Sequence, residues 1–168
     1  MMEPVEIILR LGSATLIGAA IGLNRDLRGK PIGVRTLGLV GLASAVAILA
    51  TTYAGTDPRA DAPSRVMQGV LTGVGFLGAG VIVRGRIEGR IHGLTSAASA
   101  WVTACLGLVC GVAAWPVAAT GVALAFVVLV LGGPLERIIH RWLGGKSDVP
   151  PQPPHPPPQR SRDETQAR

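Results

Sequence analysis

Apolar residues in this chain come in long unbroken runs separated by short clusters of charge. Between Arg90 and Glu136 lie 45 residues without Asp, Glu, Lys or Arg; Thr36 to Thr56 is a charge-free run of 21, and Val66 to Val83 one of 18. A helix crossing the hydrocarbon core needs about 20 mostly apolar residues. A soluble helix instead buries one stripe and keeps charge on its opposite face. The pattern therefore predicts membrane spans, at 5–24, 35–54, 66–83, 94–114 and 116–133. The last two share the 45-residue run, which as a single helix would overshoot the bilayer about twofold. Trp115-Pro116 divides it, because proline suits the first turn of a new helix and tryptophan suits the interface. Tyr53 and Trp115 then mark one membrane face and Trp142 the other. The expected fold class is all-α: a polytopic membrane protein of about five tightly packed transmembrane helices, rich in small residues. Residues 1–145 form this domain and 146–168 a tail.

Charge adds a topology. Only 15% of the 168 residues are charged, against about a quarter in soluble domains. Arg25, Arg28, Lys30 and Arg35 fall between the first two spans, and Arg84, Arg86 and Arg90 between the third and fourth. Arg137, Arg141, Lys146, Arg160, Arg162 and Arg168 follow the fifth, which leaves only Arg10, Arg59 and Arg65 for the other side. Basic loops stay in the cytoplasm, so the N-terminus is expected outside and the C-terminus inside. This use of basic residues excludes a nucleic-acid partner, and the composition excludes a soluble enzyme. Met1-Met2-Glu3-Pro4 lacks the basic start of a cleaved signal, so the first span is expected to be retained. Cys105 and Cys110 lie about 140° apart around a helix, which predicts neither a disulfide nor a metal pair. Seven prolines between Pro150 and Pro158 predict an extended, solvated tail, in which His155 is no metal ligand.

Small residues are the next signal. Gly73, Gly75 and Gly78 satisfy GxGxxG, but a dinucleotide loop needs a strand before it and a helix after it. In a charge-free span these glycines, with Gly80, read as close helix contact, which places the third helix at the centre. Local unwinding to bind a ligand is the other reading. Ala14, Gly18 and Gly22 repeat the i+4 spacing on the first span; Thr95, Ser99, Thr103, Gly107 and Gly111 form a slanted ridge on the fourth. The fifth span is bulky all round and is expected at the periphery. Glu6 and Arg10 stand at i,i+4, either as an anchor pair or as a functional one. Gln68 and Thr72 lie one turn apart on the third span, and Asn24, Arg25 and Asp26 cluster where the first span ends. Catalysis has no support: there is no nucleophile–His–carboxylate set, HExxH or Walker loop. Asp57 and Asp61 share their loop with Arg59 and Arg65, which argues for solvation there and against a cation site. No cofactor is expected.

Three segments together resemble a known family. Gly22-Leu23-Asn24-Arg25-Asp26-Leu27-Arg28-Gly29-Lys30-Pro31-Ile32-Gly33-Val34-Arg35-Thr36 is similar to the signature after the first span of the MgtC/SapB family. Gln68-Gly69, with Thr72 through Ile82, resembles its third-span motif, and Gly93 through Trp101 its fourth-span entry. The resemblance implies a bacterial inner-membrane protein linked to low-magnesium adaptation and, in some members, to virulence. It further implies a regulatory role, such as restraint of the proton-translocating ATP synthase or adjustment of another membrane protein. The chain departs from the family in Asn24 where an acidic residue is frequent, in Leu37 where histidine is common, and in a proline-rich tail where longer members carry an ACT-like domain.

The leading expectation is a regulator acting by helix–helix contact with another membrane protein or with itself, within the lipid bilayer. Arg25, Asp26, Arg28 and Arg35 would form its site at the cytoplasmic edge. The alternative is a transporter or channel for Mg²⁺ or another small solute, lined by Gln68, Thr72, Thr95, Ser99 and Thr103. The shortage of intramembrane carboxylates argues against a divalent-cation path. A structural oligomer is the third reading.

Overall fold

The computed structural model describes residues 2–53, 61–84 and 93–142, without the side chains of 83, 84, 136, 137 and 139–141. Among these residues the chain is a series of α-helices: α1 Pro4–Asp26, α2 Val34–Ala50, α3 Ala62–Arg84, α4 Leu94–Gly111 and α5 Trp115–Trp142. Four of them are long and apolar enough to span a bilayer, and α2 is a shorter apolar helix of 17 residues. This is a multi-pass membrane protein.

The ends of the helices follow from local chemistry. Pro4 opens α1, where its missing N–H costs nothing, and Glu6 sits in the first turn, near the positive end of the helix dipole. After α1 the Lys30 N–H donates to the Arg25 carbonyl (3.0 Å) and the Gly29 N–H to that of Asp26 (2.9 Å). Gly29 adopts φ 60°, which completes a Schellman motif. The end of α4 repeats this arrangement with alanine. Ala114 N–H reaches the Val109 carbonyl (3.1 Å), Ala113 N–H that of Cys110 (2.9 Å), and Ala113 takes φ 58°. Trp115 and Pro116 then start α5, the break expected from sequence. The charge-free runs misplace other ends. α3 begins at Ala62, ahead of Arg65, and α5 runs on through Pro134 to Trp142. Helix geometry tolerates charge at the membrane boundary; only the hydropathy pattern stops there.

Helices in lipid gain nothing from hydrophobic exclusion and associate through close backbone approach. In α1, α2 and α4 the glycines perform this role. A Cβ on Gly18 would strike the Leu37 carbonyl, one on Gly41 the Ala14 carbonyl (2.5 Å), and one on Gly107 the Gly41 carbonyl. At Gly111 it would stand 2.9 Å from the Ala45 carbonyl. These pairs set α1 antiparallel to α2, and α2 parallel to α4. Ile21, Leu37, Ala45, Ile48, Ala100, Ala104 and Cys110 are buried between them.

The central helix is α4, not α3: 56% of its span is buried against 11% for α3. The expectation of a central third helix is corrected for a definite reason. Glycine content shows that a helix can be approached closely, but the facing surface decides whether it is. α3 turns Val74 and Gly78 inward, with Gly78 beside Ala97, and leaves Phe76 and Leu77 exposed. α5 contributes Val122, Phe126 and Leu129 to the core and presents Leu124, Val127, Val128 and Leu131 outward. The chain divides into two compact units, residues 1–133, which hold this bundle, and 134–168. In the second, residues 134–142 are helical, with Leu135, Ile138 and Trp142 exposed.

Candidate functional site

The connection from α1 to α2 shows why its residues are what they are. Gly22 lets the start of α2 lie on α1, since a Cβ there would stand 2.6 Å from the Val34 Cα. Asp26 Oδ2 accepts the Val34 N–H at 3.0 Å. It thereby caps α2 from outside, where the N-cap residue Gly33 has no side chain to do so. Glycine at 33 leaves room for the capping carboxylate, since a Cβ there would displace Asp26 from this position. Ile32, just before, holds φ 64°, a costly conformation for a β-branched residue.

The four residues expected at this edge therefore separate. Asp26 serves α2, while Arg28 and Arg35 are exposed. Arg25 turns into the bundle, only 5% exposed, and its Nη2 donates to Ser96 Oγ at 2.5 Å. Among the described residues the buried Arg25 Nε has no partner, nor does the buried Asn24 Oδ1. Arg25 lines a cavity of about 450 Å³ together with Gly29, Lys30 and Pro31 of the α1–α2 connection and Gly93, Leu94, Thr95 and Ser96 at the start of α4. Ser96, fully buried, was not singled out from sequence. Its place in the first turn of α4, three residues after Gly93, is the signal that could have found it.

At the opposite end of α4 a second arginine of α1 has its charge compensated, although its Nε, like that of Arg25, has no partner among the described residues. Arg10 Nη1 donates to the Gly111 carbonyl at 2.8 Å, and Nη2 pairs with Glu6 Oε1. A cation at a helix C-terminus meets the negative end of the dipole and caps a free carbonyl. Of the two readings of Glu6 and Arg10, this geometry is that of an anchor.

The polar residues considered as a solute path do not converge. Gln68 and Thr72 are exposed on α3, and the Thr72 hydroxyl donates to the Gln68 carbonyl (2.8 Å). Ser99 and Thr103 are buried and donate to the carbonyls of Thr95 (2.7 Å) and Ser99 (2.8 Å), within α4. Thr95 and Ser99 do border a groove of about 330 Å³, but its other walls are apolar or glycine: Ile21, Ala98, Val102, Gly121, Leu124, Ala125, Val128 and Leu129. Among the glycines, Gly18, Gly22, Gly107 and Gly111 lie at close backbone contacts. Around Gly73, Gly75 and Gly80 a Cβ would meet nothing within 4 Å. Asp57, Arg59, Arg86, Arg90 and the tail 146–168 lie outside the described residues.

Comparison with known proteins identifies relatives by sequence. No solved structure matches the chain. Protein SrpB of Synechococcus elongatus is 43% identical over 145 residues, covering 80% of this chain and 78% of its own. A protein of Escherichia coli named putative magnesium transporter YhiD is 40% identical over 131 residues, covering 74% of this chain and 59% of its own. Protein MgtC of Salmonella typhimurium is 44% identical over 105 residues, 62% of this chain and 42% of its own. The chain thus spans only part of the length of the last two. The MgtC family profile matches residues 11–138, and the chain belongs to the MgtC family.

Proposed function

We propose that this protein is a bacterial inner-membrane regulator connected with magnesium homeostasis, which acts by lateral helix contact and is not itself a conduit for the ion. The observation that carries the reading is the disposition of the intramembrane hydroxyls. Ser44, Ser99 and Thr103 each donate to a carbonyl four residues back on their own helix, and no described acidic side chain joins them. A hydrated divalent cation is bound by several oxygens, carboxylates foremost. The bundle offers it no such set among the described residues. Lateral contact has a surface available instead: Gly73, Gly75 and Gly80 leave the α3 backbone open to approach. The magnesium connection rests on family membership and on the name of the YhiD relative. The basic α1–α2 connection faces the cytoplasm in this reading, with the N-terminus outside.

The proton-translocating ATP synthase is the first target to test. ATP-driven proton pumping is measured in inverted membrane vesicles with and without the protein, at matched synthase content and matched passive leak. The wild type is expected to lower pumping. Gly73→Leu should relieve that effect, since a Cβ there meets nothing within 4 Å among the described residues and the added side chain would obstruct an approaching partner. Asp26→Lys is a poor probe, because it uncaps α2; Arg28→Glu on the exposed edge replaces it. Unchanged pumping with wild type rejects the synthase as target. Mg²⁺ flux in proteoliposomes of the pure protein would reject the regulatory reading as a whole.

A further inference from the structure

We infer that the cavity at the N-terminal end of α4 is a binding site for a phosphate-type oxyanion, carried on a lipid headgroup or on a soluble molecule. Arg25 carries a full charge, is 95% buried by its 5% exposure, and has a neutral hydroxyl as its hydrogen-bonding partner. Its Nε has no partner among the described residues; Arg10 Nε shares that lack, but Arg10 has Glu6 as counterion and Arg25 has no described carboxylate. A buried guanidinium is tolerated when an anion compensates it, and no described acidic side chain lines this cavity.

The remaining walls supply what such an anion needs. α4 begins here behind Gly93, with no side-chain cap on its first turn. The N–H groups of Leu94, Thr95 and Ser96 therefore lack intrahelical partners, and the positive end of the dipole points at the cavity. Ser96 Oγ accepts from Arg25 and so keeps its own proton to donate. Lys30, exposed and also lining the cavity, adds a second positive charge. At about 450 Å³ the space holds a phosphate together with part of its ester. An arginine, a lysine, a hydroxyl and a helix terminus lining one cavity offer more donors than a flat carboxylate can accept and suit a tetrahedral oxyanion better. Arg25 itself sits unfavourably at this end of α4 until the anion arrives, since its charge faces the dipole of the same sign. The site stands independently of whether the protein regulates or transports.

The test uses the full chain purified in a phospholipid-free neutral detergent. Thermal unfolding is followed while sodium phosphate is titrated against sodium chloride and sodium acetate of equal ionic strength. A second arm adds mixed micelles containing phosphatidylglycerol or, as control, a neutral glycolipid. A saturable rise in midpoint with phosphate alone identifies a soluble ligand, and a rise confined to phosphatidylglycerol identifies a headgroup. Either supports the site if Arg25→Gln and Lys30→Gln each weaken binding about tenfold, the size expected for one charge-assisted contact. Lys30 is exposed, so its variant decides the matter if Arg25→Gln fails to fold. Three results would overturn the inference: no midpoint shift beyond the chloride control in either arm, acetate matching phosphate, or full binding by Lys30→Gln.

Discussion

The two ends of α4 are each met by an arginine of α1, fifteen residues apart on both helices, yet the two meetings differ in sign. At Gly111 the dipole is negative; Arg10 caps the carbonyl there and carries Glu6 as its counterion. At Ser96 the dipole is positive, and the partner of Arg25 among the described residues is a neutral hydroxyl. The first end is electrostatically complete within the chain, while the second lacks a negative charge among the described residues. The same residue type, buried at Ser96 and partly buried at Gly111, therefore means structure at one end and an uncompensated charge at the other, and the decision rests on the sign of the helix terminus.

The largest effect should come from the glycine row that holds the two ends in register. A Cβ on Gly107 meets the Gly41 carbonyl and lies 2.9 Å from the Ser44 Cβ, so Gly107→Val must push α2 and α4 apart. A loss of about 3 kcal/mol is expected in detergent unfolding, at the upper end of overpacking costs. Gly73→Val, facing open space, should change stability by less than about 0.5 kcal/mol, the usual surface range. A comparable loss at both positions would mean that α3 is as enclosed as α4, and the comparison would fail.

The arginines themselves come next. Arg10→Met removes a carbonyl cap and the partner of Glu6, for an expected loss of about 2 kcal/mol. Arg25→Met should cost nothing measurable in anion-free detergent, or should stabilise, because methionine replaces an uncompensated buried charge with a side chain of similar length. Saturating phosphate then sharpens the contrast by stabilising wild type and leaving Arg25→Met unchanged. If both substitutions cost the same without anion, Arg25 is already paired and the asymmetry is lost.

How much of this could be read beforehand depends on the range of the interaction. The charge-free runs located all five helices, because membrane insertion is decided by local hydropathy. The break at Trp115 was visible for the same reason. The ridge through Gly107 and Gly111 was legible as a row of small residues, since spacing alone puts it on one face. Which helix stood at the centre was not legible, because Gly73 and Gly107 look alike until a partner is placed against them. Arg25 and Asp26 were found as a cluster, but their divergence, one to α4 and one to α2, depends on contacts across 71 residues and 8 residues. The pairing of Arg10 with Gly111 spans 101 residues and leaves no local trace.

The smallest effect isolates the backbone at the satisfied end. Ala113 completes the Schellman motif after α4 at φ 58°, where a side chain costs roughly 1–2 kcal/mol relative to glycine. The added freedom of glycine in the unfolded chain returns about 0.4–1 kcal/mol of that. Ala113→Gly should therefore stabilise by about 0.5–1 kcal/mol, seen as a higher unfolding midpoint. Gly29 holds the same place in the motif after α1, at φ 60°, beside the incomplete end of α4, and a Cβ there would meet nothing within 4 Å. Gly29→Ala should lose about what Ala113→Gly gains, through the backbone alone. Because Gly29 also lines the cavity, its variant carries a second readout: phosphate should still bind, since the methyl group removes no donor. Loss of phosphate binding in Gly29→Ala would show that the turn conformation, and not only the charge of Arg25 and Lys30, shapes that end of the helix.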